Sequence, residues 1–561
     1  MASKVFERVV SLQSLVFASV AESLLVVRWL PSYVPQDGPL AWALLRALAA
    51  NFALYCVFWG LVYPYFVSPL RHFPTVKDRG SQWAYLRGAT RRPPGQHLLD
   101  WSEQSENDGL LLLRSPFHRS RLLVTKPKAL SDLLVTNAYD FVKPKKIANF
   151  LRKVLGDGLI LVEGDVHRFQ RKRAMPAFSF RHIKDLYPMM FRKAVALTAA
   201  ITAELAEQPQ RDDGYGNDVV AGTTEINSWA SKVTLDIIGI AGMGKELNVL
   251  RNSDDPLVRN YDELLEPTKE KLMYFLLSAF LSPGLVKLLP WRMNEVFERC
   301  TTGLGQICVE NVRERREAIK LKGDDHFDIL SLLIKTNDFS DAELVDQLLT
   351  FLAAGHETTS SALTWTCFLL AKHLDYQEKL RDEIKENLPP HVLSDPSFDL
   401  ATVLERLPLL NGVCNETLRL YPTVPITMRI AKRDTRLLGS FIPKGTEIMI
   451  APWAVNRSRE LWGEDACVFR PERWIDADTG RPNNTGGADS NYSLLTFLHG
   501  PRSCIGQGFA KAELRCLVAA FTWAFEWRLN MREEDVVPAG VITIKPEHGL
   551  HLKLRAIGRW G

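Results

Sequence analysis

A loop at residues 497–506, FLHGPRSCIG, places glycines and an arginine at fixed distances around one cysteine. A cysteine becomes a thiolate, the form that binds metals, where backbone N–H groups, a helix N-terminus or a cation lower its pKa. Gly500 and Gly506 let the backbone approach a flat ligand and turn N–H groups toward Cys504, and Arg502 supplies a cation. A helix predicted to begin directly after the loop points its positive end at the sulfur. The loop therefore predicts that Cys504 is a metal-ligating thiolate.

The spacing of Phe497, Gly500, Arg502, Cys504 and Gly506 resembles the haem-ligating loop of the cytochrome P450 family, and the match is complete. Short motifs also arise by chance, and the alternative is a structural cysteine in a glycine turn. The resemblance implies that Cys504 is the axial ligand of a haem iron and that the other four residues contact the haem. Arg502 would pair with a haem propionate.

A second motif, AGHETT at residues 354–359, lies within a helical pattern. The pattern begins at a capping box formed by Ser340 and Glu343 and continues to about His373. A glycine closely followed by two threonines is poor helix-forming sequence, so another requirement selects it. A threonine hydroxyl can bond the carbonyl four residues earlier and widen the helix locally, which makes room for a small ligand.

The AGHETT segment resembles the oxygen-activation motif of the family's long central helix. The resemblance implies that Ala354 and Gly355 lie against the haem. It also implies that Glu357 and Thr358 are the acid and the alcohol that deliver protons to dioxygen, with Thr358 as the direct hydrogen-bond donor. The alternative is a solvated glutamate beside a threonine packed in a helix groove.

A third pattern is a set of charged residues that could form a buried ion network. Glu416 and Arg419 are three residues apart in the helical segment NETLRLYP, where they can pair, although most such pairs are weak surface salt bridges. Arg473, in FRPERW, resembles the second arginine of the family's Glu-Arg-Arg triad. A buried carboxylate shared by two arginines is costly to break, so the predicted role is structural.

A fourth motif lies in GDVHRFQRKRAMPAFS, where His167 and Arg171 are four residues apart. They resemble the family's two propionate ligands on a helix over the haem edge. The alternative is a solvated basic face. The neighbouring basic residues could also form a surface that docks an acidic flavoprotein reductase, and the candidates are Arg168, Lys172, Arg173, Lys511 and Arg515.

The elements that position these motifs are predicted to be mainly α-helices with small β-sheets. Helical periodicity dominates residues 128–420, and two apolar runs around a polar turn at residues 110–125 predict a hairpin. The resemblance extends from about residue 74 to 554 and implies the cytochrome P450 fold, with the long central helix over the haem. It directs the mostly apolar segments 424–428 and 540–542 toward the distal face of the haem, where they would contact the substrate, and the alternative is ordinary core packing.

Composition narrows the protein class. The chain has 561 residues, 46% of them hydrophobic, with a formal net charge of +4, and neither the total charge nor any local basic run favours nucleic-acid binding. The eight cysteines include no CxxC pair, which favours a reducing compartment over a disulfide scaffold or a zinc site.

Residues 47–70 carry no charge and are long enough to cross a bilayer. Arg71, Lys77 and Arg79 follow, so the downstream part is predicted to lie in the cytosol. We predict a membrane anchor at residues 1–73 and a catalytic domain at residues 74–561.

An earlier apolar stretch, residues 9–29, contains Glu22 and Arg28. It could be a second membrane span or an amphipathic helix on the membrane surface, and the sequence leaves both open. Two spans put the N-terminus in the cytosol, whereas one span puts it in the lumen.

The resemblance implies a haem-thiolate monooxygenase of the endoplasmic reticulum that contains haem b. It would use dioxygen to hydroxylate, epoxidise or desaturate a lipophilic small molecule. Because no flavin or dinucleotide module is apparent, electrons are expected from NADPH through a separate NADPH-cytochrome P450 reductase, with cytochrome b5 as a further donor. The anchor region and AGHETTSSALTW look fungal, and fungal members often tailor terpenoids, polyketides or alkaloids.

Two other functions stay open at this point. One is a fatty-acid or xenobiotic hydroxylase, which an apolar pocket does not distinguish from a tailoring enzyme. The other is a non-enzymatic haem protein, a sensor or carrier, against which the Glu357 and Thr358 pair argues.

Overall fold

The computed structural model describes residues 12–76, 88, 91–114, 120–209, 220–251, 255–265, 269–280, 286–322, 327–395, 397–540, 542–558 and 560. Lys77 and Arg79, residues 9–11 of the earlier apolar stretch, and Val541 of the predicted substrate segment lie outside these ranges.

Helices make up most of the described residues. In the first half they are α1 Leu12–Trp29, α2 Pro39–Val57, α3 Gln96–Gln104, α4 Pro127–Ser131, α5 Lys145–Leu155, α6 Gly164–Ala174, α7 Phe180–Glu207, α8 Ile226–Ile238, α9 Pro256–Leu265 and α10 Lys269–Phe280. In the second half they are α11 Arg292–Lys322, α12 Ile329–Thr336, α13 Asp341–Lys372, α14 Leu374–Asn387, α15 Leu400–Arg406, α16 Pro408–Leu420, α17 Pro452–Val455, α18 Arg459–Trp462 and α19 Gln507–Ala524. The prediction of a mainly helical protein is confirmed.

The strands are short and form small sheets. They are β1 Leu110–Leu113, β2 Arg121–Val124, β3 Phe141–Val142, β4 Ala221–Glu225, β5 Thr427–Ala431, β6 Thr435–Leu437, β7 Ser440–Ile442, β8 Glu447–Ile450, β9 Phe525–Leu529, β10 Pro538–Ala539, β11 Lys545–Pro546 and β12 His551–Ala556. The largest sheet has the order β1-β2-β8-β5-β3, in which β2 and β8 are parallel. The predicted hairpin is its edge, with Leu110 opposite Val124.

Helix α13 forms the centre of the fold. Its 32 residues span about 48 Å, and the predicted capping box of Ser340 and Glu343 is formed at its N-terminus. The helix is buried against α8, α11 and α19 within the largest hydrophobic cluster. The carbonyl of Ile544, in the turn between β10 and β11, accepts hydrogen bonds from Ser361 and Trp365 of α13 at 2.5 and 3.2 Å. The turn near the C-terminus is thereby fixed to the central helix.

The N-terminal span differs in its limits from the predicted residues 47–70. Helix α2 begins at Pro39 and continues as π-type turns over Phe58–Val67. The helix therefore includes Arg46, whose guanidinium lies over the Trp42 ring at 3.9 Å. By length and hydropathy alone, Pro39–Val67 is the one candidate membrane span among the described helices, so a span at α1 has to be argued from its contacts; only 6% of the most apolar 18 residues of Pro39–Val67 are buried.

Candidate functional site

Glycine geometry shapes the loop around Cys504. The Cys504 N–H donates to the Phe497 carbonyl at 2.9 Å, which closes the loop on itself. Gly500 has a φ of 76°, and a Cβ there would lie 2.1 Å from the Leu134 carbonyl oxygen. A side chain cannot be accommodated at Gly500 unless the backbone moves.

The electrostatics around Cys504 differ in part from the prediction. Burial raises the pKa of the Cys504 thiol, and the Gly506 N–H and the charge of Arg171 offset only part of that rise. The predicted N–H contribution is present, but the cation that acts on the sulfur is Arg171 rather than Arg502. A thiol with a raised pKa needs the metal itself to become a thiolate.

Two accessible surfaces inside the molecule border the same region. The Cys504 side chain has accessible surface, although the thiol lies deep within the protein. In the middle of α13, residues 353–355, 357 and 358 are partly accessible, whereas Leu352 is fully buried. Phe178 lies between the two surfaces, with 3.9 Å from its ring to the Cβ position of Gly506 and 5.3 Å between its ring and that of Phe351 on α13. We interpret the two accessible surfaces as facing one interior hollow between the cysteine loop and the central helix.

One edge of this hollow has more positive than negative charge. Arg502 donates to the Phe141 carbonyl at 2.6 Å and lies against Glu163, and its buried Nε has no hydrogen-bond partner among the described residues. Lys143 lies 3.9 Å from the same carboxylate. Burial lowers the pKa of Lys143 well below its usual value, and the charges of Arg429 and Arg502 lower it further.

His167 and Arg429 belong to the same edge. Burial first, and then Lys143 and Arg171, lower the pKa of His167 to about 4, so its imidazole is neutral at pH 7. Its Nδ1 lies 3.2 Å from the Tyr139 hydroxyl. Burial also lowers the pKa of Arg429 to about 10. Within the described residues, these neighbouring cations share one carboxylate, so they have unbalanced positive charge. Such a group is suited to an anionic ligand, and the two propionates of a haem fit it.

Arg171 contacts the cysteine loop. Its guanidinium donates to the Ser503 carbonyl at 2.6 Å and lies 3.2 Å from the Ser503 hydroxyl. The side chain therefore joins α6 to the residue before Cys504. Its charge acts both on the Cys504 thiol and on His167 at the cation-rich edge.

The AGHETT segment is a regular part of α13. The Thr358 hydroxyl donates to the Ala354 carbonyl at 2.8 Å, which is the predicted bond to the residue four positions earlier. The helix nevertheless stays α-helical through this point and is not widened into a π-turn. Gly355 differs from the prediction, because a Cβ there would lie 2.9 Å from Ile238 on α8. The glycine allows α8 to pack closely, whereas Ala354 and Thr358 face the hollow.

Glu357 is held by residues near the C-terminus. The Thr543 hydroxyl donates to its carboxylate at 2.8 Å, and Lys545 pairs with it at 3.1 Å. Burial alone would raise the pKa of Glu357, but Lys545, His356 and the Thr543 hydroxyl together lower it. The side chain is therefore a carboxylate at neutral pH.

The predicted ion network of Glu416, Arg419 and Arg473 is formed. Both arginines contact the Glu416 carboxylate, at 2.8 Å from Arg419 and 2.9 Å from Arg473. The Trp474 indole N–H donates to the same group at 2.9 Å, and the carboxylate is fully buried. Burial raises the pKa of Glu416, but hydrogen bonds and charge from the two arginines lower it overall.

This network is connected to the cysteine loop by hydrogen bonds. The Asn456 amide donates to the Arg419 carbonyl at 3.0 Å and to the Thr496 hydroxyl at 2.9 Å. Arg419 donates in turn to the Asn456 carbonyl at 2.7 Å. Thr496 directly precedes Phe497, so the buried triad fixes the start of the loop that carries Cys504.

The predicted docking surface is only partly available. Arg515 is half-buried and donates to Asn411 at 2.6 Å and to the Tyr187 hydroxyl at 3.2 Å. Burial lowers the pKa of Lys511 to about 8. Arg168 and Arg173 form ion pairs with acidic neighbours, and Lys172 is exposed. Arg515 therefore stabilises the interior rather than a docking face.

Four residues of the site were not predicted from the sequence: Lys143, Arg429, Thr543 and Lys545. Arg429 could have been recognised from the sequence, because a charged residue inside the apolar strand β5 is unusual. Lys545 and Thr543 could not have been recognised from the sequence, because their partner Glu357 is nearly two hundred residues away along the chain.

A separate polar cleft lies on the surface and includes no residue of the cysteine loop. Its lining contains His72, Glu103, Asn107, Lys126, Arg459 and Glu460. None of the sequence motifs described above contributes to it.

Comparisons with known proteins agree with this geometry. The family model described as Cytochrome P450 matches residues 111–552. The cytochrome P450 monooxygenase sphH of Aspergillus fumigatus is 39% identical over 529 residues, covering 92% of this chain and 93% of its own. The cytochrome P450 monooxygenase ptmK of Penicillium ochrochloron is 39% identical over 505 residues, which cover 90% of this chain and 97% of that protein. The cytochrome P450 monooxygenase FUM15 of Gibberella moniliformis is 36% identical over 548 residues, which cover 89% of this chain and 91% of that protein. The chain therefore belongs to the cytochrome P450 family, whose members are haem-containing monooxygenases that receive electrons from a redox partner.

Proposed function

We propose that this protein is a membrane-anchored haem-thiolate monooxygenase that oxidises a lipophilic small molecule in a fungal biosynthetic pathway. The observation that carries the proposal is the hollow between the two accessible surfaces, with Cys504 on one side and Ala354 and Thr358 on the other. The excess of cations at its edge supports a dianionic cofactor, for which we propose haem b.

Cys504 is the proposed axial ligand. When bound, the haem supplies dioxygen activation, and electron donation by the cysteine sulfur favours O–O cleavage. Arg502, Arg429, Lys143 and neutral His167 hold the propionates. Phe497 and Gly506 border the cofactor at the cysteine loop, and Gly500 gives the loop its shape.

Thr358 and Glu357 handle protons in the proposed mechanism. The Thr358 hydroxyl, which donates to Ala354 in the resting structure, can rotate to donate into the hollow. Glu357 is ionised, so it can accept a proton from water at its carboxylate and pass it onward. Lys545 and Thr543 keep that carboxylate in place.

Electrons are proposed to come from NADPH through NADPH-cytochrome P450 reductase, with cytochrome b5 as an optional donor. The anchor at residues 1–73 is proposed to hold the enzyme at the endoplasmic reticulum, with the catalytic domain of residues 74–561 in the cytosol.

The substrate class is proposed from the pocket side chains and from the relatives. The predicted substrate segments include partly accessible apolar residues, among them Val424, Ile426, Met428 and Ile542. The relatives named above are monooxygenases of filamentous fungi. Together they support hydroxylation, epoxidation or desaturation of a terpenoid, polyketide or alkaloid intermediate.

The test is the spectrum of the reduced protein under carbon monoxide, for wild type, Cys504→Ala and Cys467→Ala. Cys467 is an exposed cysteine away from the motif and serves as the matched control. We expect the long-wavelength Soret band of a thiolate ligand in wild type and Cys467→Ala and its loss in Cys504→Ala. A folded, haem-loaded Cys504→Ala protein that keeps the band would overturn the assignment. NADPH consumption with the reductase then distinguishes an enzyme from a haem carrier.

A further inference from the structure

The two N-terminal helices bury polar residues against each other. Ser19 and Ser23 of α1 are 0% and 1% exposed. The amide of Asn51 on α2 donates to the Ser19 hydroxyl at 3.0 Å and to the Glu22 carboxylate at 2.7 Å. Ser19 precedes the connecting loop and Asn51 follows it, so α1 and α2 form an antiparallel hairpin held by polar contacts.

The outward surface of the same hairpin is apolar. Large side chains on both helices are between 51% and 77% exposed: Phe17, Leu24 and Leu25 on α1, and Leu45, Phe52 and Leu54 on α2. In water a helix pair buries its apolar face and exposes its polar one. In lipid the pattern is reversed, since small and polar residues form the helix contact and apolar residues face the acyl chains. A helix lying on the membrane surface would turn Ser19 and Ser23 toward water instead.

The dimensions of the hairpin fit a bilayer. The 18 residues of α1 span about 27 Å, close to the thickness of the hydrocarbon core in the endoplasmic reticulum. Trp42 on α2 lies near the loop, and Trp59 lies about 26 Å away along the axis, in the π-type turns that continue α2, where it packs against Tyr55 and Tyr63. Tryptophans at this spacing are typical of the two membrane interfaces.

The charges indicate which side each end occupies. The connection between the helices, residues 30–38, contains Asp37 and no lysine or arginine. The sequence before α1 carries Lys4 and Arg8, and Arg71 follows α2. Positive charge favours the cytosolic side, so both outer ends of the hairpin are assigned to the cytosol. Arg28 and Arg46 lie near the loop end of each helix, where long side chains can extend to the interface.

We propose that α1 and α2 both cross the bilayer as a two-span hairpin, with residues 30–38 in the lumen and the N-terminus in the cytosol. The partner of the apolar surface is lipid, and the contact of Asn51 with Ser19 and Glu22 is the polar link between the spans. The proposal rests on the proposed membrane location but not on the haem chemistry.

Glycosylation mapping of the full chain in sealed endoplasmic reticulum microsomes tests the topology. An Asn-Xaa-Thr acceptor on a Gly/Ser spacer of about 30 residues is placed before Met1 or between Gln36 and Asp37. We expect a glycan, removable by endoglycosidase, on the loop acceptor only. A glycan on the N-terminal acceptor would mean that only one helix spans the membrane. The absence of a glycan from both acceptors would mean that the hairpin does not cross the membrane. Either result overturns the proposal.

The native chain supplies an internal control for sidedness. Residues 483–485 and 491–493 are acceptor triplets of the catalytic part, in which Asn483 is half-buried and Asn491 is exposed, although Ser493 is buried. They stay unmodified if that part is cytosolic, and their glycosylation would overturn the proposed sidedness. The carbon monoxide spectrum of the same microsomes reports the haem proposal separately.

Cross-linking tests the helix contact and its occupant. In a Cys56→Ala background, Ser19→Cys with Asn51→Cys is expected to form an intramolecular disulfide on mild oxidation, because the side chains at these positions are in contact. Ala18→Cys with Asn51→Cys is the matched control, since Ala18 is exposed on the outer face, and it is expected to form none. A covalent dimer instead would show that a second copy, not lipid, covers the hairpin.

Discussion

The two sides of the hollow are held in different ways. On the thiolate side, meaning the 497–506 loop and the triad of Glu416, Arg419 and Arg473, buried groups hold one another through several short hydrogen bonds. On the oxygen side, meaning the AGHETT segment and the β10–β11 turn, Glu357 is held by Thr543 and Lys545. The first arrangement fixes geometry, whereas the second leaves a carboxylate that can exchange protons. We therefore propose that rigidity and proton transfer belong to opposite faces of one cofactor site.

The largest effect should come from the rigid side. Glu416→Gln leaves two buried arginines without their carboxylate, and breaking such a network costs about 3–5 kcal/mol. We expect almost no haem-loaded protein, measured as the Soret to protein absorbance ratio after purification. Glu472→Gln is the control, because Glu472 is exposed and bonds only a tyrosine hydroxyl among the described residues. Equal haem loading in the two variants would contradict the role of the triad.

On the oxygen side, Glu357→Gln should spare the structure and impair turnover. The amide cannot carry a proton, so product formation should fall about 10²-fold. The carbon monoxide band should be unchanged, and NADPH consumption should continue with release of hydrogen peroxide. Glu343→Gln, at the capping box of the same helix, should cost less than about 1 kcal/mol and leave product formation intact. If Glu357→Gln lost the carbon monoxide band, Glu357 would be needed for the structure of the site, and the oxygen side would not differ from the thiolate side in its role.

The Lys545→Gln variant tests the oxygen side through the pH dependence of product formation. Lys545 lowers the pKa of Glu357 and burial raises it, so removing the lysine should move the pKa of Glu357 upward. The ionised fraction then falls at low pH, and the acid limb of the product-formation profile moves to higher pH. We expect a larger loss of product formation at pH 6 than at pH 8. Lys545→Arg should restore the profile, and an unshifted acid limb in Lys545→Gln would show that Lys545 has only a packing role.

The smallest effect concerns Glu513, which connects the two sides. It lies on α19 after the cysteine loop, is fully buried, and lies close to Thr359 of α13. Burial raises the pKa of Glu513 well above its usual value. Such a group favours folding below its unfolded pKa, and that stability is lost as pH rises through the folded pKa. Glu513→Gln should therefore gain in Tm relative to wild type between pH 5 and pH 8, by on the order of 2 °C. A pH-independent difference in Tm would contradict a neutral Glu513.

Local motifs predicted the features whose partners are close in sequence or whose spacing is characteristic of the family. The capping box of Ser340 and Glu343 and the pairing of Glu416 with Arg419 belong to this group. Arg473 was assigned correctly because of the FRPERW segment that contains it. Helical spacing and capping residues are enough for the capping box and for the possible pairing of Glu416 with Arg419, whereas Arg473 follows only from the family resemblance.

The features that the sequence did not predict depend on contacts between distant segments. Glu357 was predicted as an acid, but Lys545 and Thr543 meet it only because the β10–β11 turn is fixed to α13. Gly355 was assigned to the cofactor face, yet adjacent helix positions differ by about 100° in direction, and its Cβ position points at α8. Periodicity does not specify which neighbour each face meets.

The cation-rich edge also bears on how the enzyme matures. Arg502, Lys143 and Arg429 repel one another until an anion arrives, so the folded chain without haem carries a built-in electrostatic penalty. A ligand that binds only the native state stabilises it by mass action. Haem supply should therefore set how much of the newly made chain reaches the folded state, and chains made faster than haem is delivered should be the ones that the cell degrades.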